Sequence, residues 1–144
     1  MGITDPNERY FKDGSWGWDG TQWRPSGLLS GYTENLCIRT QEIHAAAGNV
    51  NLDVEAVPGG ELWVVTSLFA MNSVSNVTKV LVSIVYEDVP YYLATCGALA
   101  EWVGFTWNGN VYLPEGYFIR ARFYGCTAED DIEIAVHGYK LTVT

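Results

Sequence analysis

The chain has 144 residues, 48% of them hydrophobic and only 17% charged, which suits one folded domain with a real core and excludes a disordered polymer. Its net charge is −9 and its 8 Lys and Arg are scattered, so neither nucleic acid nor an anionic membrane is an expected partner. Aromatics at 14%, together with 15 glycines, point to an all-β protein with many turns.

The opening "MGITDPNERY" has neither the basic nor the apolar region of a secretion signal, and Pro6 stands where a myristoylation site needs Ser or Thr. No apolar run approaches the length of a membrane span. The expected place of synthesis is a reducing cytoplasm. "SWGWDGTQWRP" then puts three tryptophans into one short stretch. Asp19-Gly20 is a strong signal for a two-residue hairpin turn, since both central positions need positive φ. That turn would pair Trp16 with Trp23 and place Trp16, Trp18 and Trp23 on one face of a ribbon. A two-stranded ribbon is marginal in water, so this aromatic face requires a cover. Tyr10, Phe11, Leu28, Leu29 and Tyr32 flank it and complete a candidate assembly surface.

Residues 1–48 read as an N-terminal arm, because "PSGLLSGYTENL" and "CIRTQEIHAAAGN" show no clean period. Residues 49–144 read as strands in succession. "NVNLDVEAV" alternates, "PGG" turns, and "ELWVVTSLFAM" is apolar on both faces as a central strand would be. "VTKVLVSIVYE" alternates again, "EDVP" turns, and "YYLATC" and "EWVGFTW" follow, the latter ending at a second hairpin signal, "NGN". "YFIRARFYG", the loop "CTAEDD" and "IEIAVHGYKLTV" close the chain. The pattern predicts an antiparallel β-sandwich of jelly-roll type behind an extended arm that carries a β-hairpin. Its interior should hold Val50, Leu52, Val54, Leu62, Val64, Val80, Val82, Ile84, Ile119, Phe123, Ile132, Ile134 and Val136.

No motif for catalysis stands out. Glu129, Asp130 and Asp131 could offer oxygen ligands to Ca²⁺, but a dedicated calcium-loop spacing is absent and a solvated turn explains them. Glu87 and Asp88 are adjacent, so in a strand they point to opposite faces and cannot flank one glycosidic bond; a turn is expected. His137 falls on the outward face of the last strand, and His44 has no partner at motif spacing. There is no nucleophile elbow, phosphate-binding glycine loop or Cys-His signature. Cys37, Cys96 and Cys126 form no CxxC and read as buried thiols, with a single disulfide and one thiol left over as the alternative. A non-enzyme without cofactor or metal is the expectation.

"VPGGELWVV", "LPEGYFIRARFYGCTAEDDI" and the closing "HGYK", with "YFKDGSWGWDGTQWR" ahead of them, resemble small structural proteins of tailed bacteriophages. Similar proteins include jelly-roll capsid decoration, or cement, proteins. The resemblance implies a virion location after synthesis in the host cytoplasm, a homotrimer, and contact with the major capsid protein or another virion protein. The aromatic arm would make that contact. The rival readings are a carbohydrate- or receptor-binding module of a tail fibre, with Trp16, Trp18, Trp23, Trp63, Trp102 and Trp107 as the glycan platform, and the subunit of a tube or filament.

Overall fold

The computed structural model describes residues 16–18, 23–25 and 34–143. Among them there is no helix, and ten strands form three antiparallel sheets. β1 (Trp16–Trp18) and β2 (Trp23–Pro25) pair only with each other. One four-stranded sheet runs β3 (Glu34–Ala45), β10 (Asp130–Thr142), β5 (Glu61–Asn72), β8 (Phe105–Leu113). The other runs β4 (Gly48–Asp53), β9 (Phe118–Cys126), β6 (Lys79–Tyr86), β7 (Val89–Cys96). Consecutive strands swap sheets or form hairpins in the order of an eight-stranded jelly roll, as the sequence predicts.

Alternation fills the interior between the sheets. Leu52, Val54, Val80, Val82, Ile119, Phe123, Ile132, Ile134 and Val136 all belong to the core, and Val50 and Ile84 pack against it half-buried. Each fully buried aliphatic side chain contributes roughly 1.5–3 kcal/mol by leaving water. Ala121 opposes Leu52 on one side and Val82 on the other, so a small residue separates two larger ones in the row.

Three expectations are corrected. The first sandwich strand is β3, which lies inside the segment assigned to the arm. Leu36 and Ala45 enter the core while Asn35, Cys37, Arg39 and Ile43 stay exposed, and the polar Thr40 and Glu42 between them conceal the period in the sequence. Among the described residues the sandwich therefore begins with β3 at Glu34, not at residue 49.

The second correction concerns "NGN", which makes no hairpin turn but lies within β8. Around it the ladder carries a bulge that widens across three strands. Between matched rows β10 advances from His137 to Gly138, β5 from Ser67 back to Val65, and β8 from Asn108 to Val111. The additional residues on β8 are Gly109 and Asn110, and a Cβ on Gly109 would sit 2.6 Å from the Trp107 indole. The bulge also reverses which residues of β5 face inward. Trp63 and Val65, then Leu68 and Ala70, enter the core in place of Leu62 and Val64. Val64 is buried on the opposite face, in the row of Tyr139 and Tyr112. Bulges have this effect because one extra residue reverses the side-chain alternation of its strand.

The third is the aromatic hairpin. Its register pairs Trp18 with Trp23, Gly17 with Arg24 and Trp16 with Pro25, with residues 19–22 between the strands. Trp16 therefore does not oppose Trp23. Positions 16, 18 and 23 nevertheless fall on one side of the ladder, since alternate residues share a face.

Candidate functional site

Of the assembly residues expected from the sequence, Trp16, Trp18 and Trp23 fall on the separate two-stranded sheet. Tyr10, Phe11, Leu28, Leu29 and Tyr32 lie outside the described residues. Three tryptophans proposed for a glycan platform part company in the sandwich. Trp63 is buried in the core, Trp107 packs half-buried against it, and Trp102 stands 69% exposed. They form no common plate.

The acidic cluster is not a solvated turn. Asp130 is 1% exposed, and its Oδ2 accepts three hydrogen bonds of 2.7 Å, from Asn72 Nδ2, Ser75 Oγ and the Thr127 amide. Asp131 Oδ1 accepts from the His44 amide at 3.1 Å, and Glu129 Oε2 lies 2.8 Å from His44 Nδ1 at the surface. Asp130 thus points into the interior, while Glu129 and Asp131 both meet His44. Among the described residues no group of three or more His, Cys, Asp or Glu side chains is placed to hold a metal ion.

Asn72 is the centre of this hub. Its Oδ1 accepts from the amides of Val74 and Ser75, and its backbone carbonyl accepts from the Trp102 amide at 2.9 Å. Through its side chain and its backbone carbonyl, Asn72 therefore ties together the loops that follow β5, β7 and β9. Trp102 emerges from the second of these loops with φ of 65°, a left-handed conformation that a bulky side chain adopts only when its surroundings impose it. Beside it, the Phe69 ring occupies the space over Gly104, where a Cβ would sit 1.8 Å from the ring.

A second feature lies on the outer face of the β4-β9-β6-β7 sheet. Asn51, Leu81, Ser83, Pro90, Tyr92, Arg120, Arg122 and Tyr124 line an open pit of about 80 Å³. Cross-strand rows build it: Arg122 stands between Asn51 and Leu81, and Arg120 between Asp53 and Ser83. Arg120 is held by the Asp53 carboxylate in a two-pronged contact of 2.7 and 2.9 Å, and that hydrogen bonding raises its pKa above the ordinary value. Arg122 and Lys79 both lie over the Tyr124 ring, at 5.1 and 5.0 Å from its centroid. Neither has a carboxylate partner among the described residues. Two cations beside one ring make a local positive field on an acidic protein, a geometry that attracts a small anion.

Sequence reading missed both the buried Asn72–Asp130 network and the pit. "YFIRARFYG" shows Arg120 and Arg122 on one strand face, but their meeting with Lys79 and Tyr92 depends on cross-strand register. Cys37 is exposed, Cys96 half-buried and Cys126 buried, and all three are free thiols, so two of them depart from the buried state expected.

No protein-family model matches the chain, and no curated protein matches it either. Solved structures similar to it include chains of infectious bursal disease virus. The Gt strain is matched at 14% identity and a TM-score of 0.34, over 88% of this chain and 35% of that one. The Gx strain is matched at 14% identity and a TM-score of 0.33, over 88% and 37%. The chain thus spans about a third of the length of these viral chains. Eiger TNF from S. frugiperda is matched at 10% identity and a TM-score of 0.27, over 69% of this chain and 92% of that one. The likenesses are to viral and TNF chains alike, and at these scores they assign this chain no activity or partner.

Proposed function

We propose that this chain is a non-enzymatic virion structural protein, a decoration protein that attaches to the outside of a bacteriophage capsid through its aromatic hairpin. The observation that carries this reading is the independence of the hairpin. Among the described residues each sandwich sheet is a four-stranded ladder that includes neither β1 nor β2. A ribbon of three-residue strands bearing three tryptophans gains little by standing alone, because such a ribbon is unstable in water without a partner surface. Tryptophans at protein contacts carry a disproportionate share of binding energy. The motifs that resemble phage structural proteins support the same direction.

The test is co-sedimentation with purified virions from a culture that produces the protein. The full chain is expected in the particle band, and Trp18→Ala combined with Trp23→Ala is expected to leave it in the soluble fraction. The two losses should be non-additive, since these residues are cross-strand partners. A wild-type chain that never enters the particle band would overturn the reading.

The cationic pit favours a second reading, a receptor-binding module that takes a carboxylate-bearing sugar. Arg122 would receive the carboxylate while Asn51, Ser83 and Tyr92 offer hydrogen bonds. Binding of acidic glycans on an array, lost in Arg122→Ser, would favour this function over decoration.

A further inference from the structure

The segment from Val89 to Pro114 contains a single charged residue, Glu101, in a chain with 25 charged side chains. At the chain's average of 17% it would hold about four. The fold gives this gap in charge a location. β7 and β8 are both edge strands, one in each sheet, and they are consecutive, joined by the loop that carries Trp102. The uncharged segment therefore supplies two open sheet edges and the loop between them.

Apolar exposure concentrates in the same place. Among the described residues, six of the ten exposed large apolar side chains come from this segment: Val89, Tyr91, Tyr92, Trp102, Val103 and Tyr112. Tyr92 is 74% exposed and Tyr91 is 55% exposed. Edge strands that remain solitary are ordinarily blunted by charge, because their unpaired amides and carbonyls otherwise template pairing with another chain. β3 and β4 follow that rule, with Arg39 and Glu42 on one and Asp53 on the other. β7 carries only Pro90 as a blunting residue, and β8 carries a bulge without any charge. Trp102 adds an independent mark. Its backbone is left-handed, its amide is tied to the Asn72 carbonyl, and its indole stands in solvent.

We infer that this flank, formed by β7, β8 and the loop between them, is the surface through which copies of the chain associate with one another. Charge decides the occupant. Two bodies of net charge −9 repel wherever their acidic surfaces meet, and the flank is where copies can approach without placing like charges opposite each other. A strongly basic partner would gain nothing from a surface without carboxylates. Tyrosine and tryptophan with open strand edges suit a second neutral flank of the same composition. The inference takes up the self-association that belongs to the decoration reading and places it on the sandwich, leaving the hairpin for the particle.

Analytical ultracentrifugation of the full chain at micromolar concentration tests it. The wild type is expected to sediment well above its 16.0 kDa monomer mass. Tyr91→Glu combined with Trp102→Glu should weaken association by about tenfold or more, and Ile43→Glu, an equally exposed change on the charged β3 edge, should leave it intact. Circular dichroism of each variant confirms that the sandwich is still folded. A monomeric wild type overturns the inference, and so does an assembly that survives the double variant. If Trp18→Ala with Trp23→Ala dissolves the assembly while the flank variant keeps it, the contact belongs to the hairpin; the flank inference then fails while attachment to virions stands or falls by its own test.

Discussion

Asn72 and Asp130, both buried at one end of the sandwich, are joined by a 2.7 Å hydrogen bond from Asn72 Nδ2 to Asp130 Oδ2. Asp130 Oδ1 has no protein partner, so all of its protein hydrogen bonding is concentrated on the other oxygen. Asp130→Ala would leave the Asn72, Ser75 and Thr127 donors without their acceptor. The expected loss is at least about 1–3 kcal/mol, the cost of orphaning a buried polar group. Urea denaturation measures it, and the cycle with Asn72→Ala should show strong coupling, because the two side chains share one network. Millimolar Ca²⁺ should leave the midpoint of wild type unchanged, since donors already surround Asp130 Oδ2. A large calcium shift would contradict that geometry.

Gly138 opposes Val65 beside the bulge, and a Cβ there would lie 1.9 Å from the Val64 carbonyl oxygen. The obstacle is backbone, which cannot rotate away as a side chain can. Gly138→Ala should destabilise the protein by roughly 1–3 kcal/mol, within the range for overpacking a close-packed interior. A thermal melt with no loss in midpoint would show that the bulge relaxes freely.

Glu87 and Asp88 form the two-residue connection of the β6–β7 hairpin, with φ of 49° and 64°. A turn of this kind prefers Asn-Gly, because both positions sit in the left-handed region. Glu87→Asn with Asp88→Gly should raise stability by about 0.5–1 kcal/mol through relief of that strain. The melting temperature is the readout, and a fall would mean the carboxylates contribute more than the backbone strain costs.

Cys126 is 5% exposed, and burial, with the Asp130 and Glu42 carboxylates adding to it, pushes its pKa up to about 11 from an ordinary 9.0. A maleimide at pH 8 should therefore label the exposed Cys37 and spare Cys126 in the native protein. The sign for stability follows. The unfolded thiol ionises near 9.0 while the folded one holds its proton to about 11, so the contribution present below pH 9.0 is lost as pH rises towards 11. Cys126→Ser should flatten that alkaline decline. Equal labelling of both thiols without denaturant would refute the burial argument.

Strand identity was legible wherever a single face of alternating apolar residues met water on the other side. β4, β9 and the first half of β10 follow their sequence pattern, because period two in a half-buried strand leaves one arrangement that hides the apolar set. The turns at Glu87–Asp88 and at Pro58–Gly60 were equally local. What the sequence by itself determined was therefore the all-β sandwich and most of its interior, since those depend on neighbours along the chain. Only the tertiary structure decided which half of β5 faces inward. "LWVV" is apolar at every position, so its own pattern is silent, and the choice of Trp63 and Val65 came from a bulge spread over β10, β5 and β8. The same bulge absorbed "NGN", whose turn preference yields because residues on both sides of it pair with β5. The burial of Asp130 and the meeting of Arg122 and Lys79 over Tyr124 likewise join residues far apart in sequence. Their chemistry arises from register and topology, which a local reading does not contain.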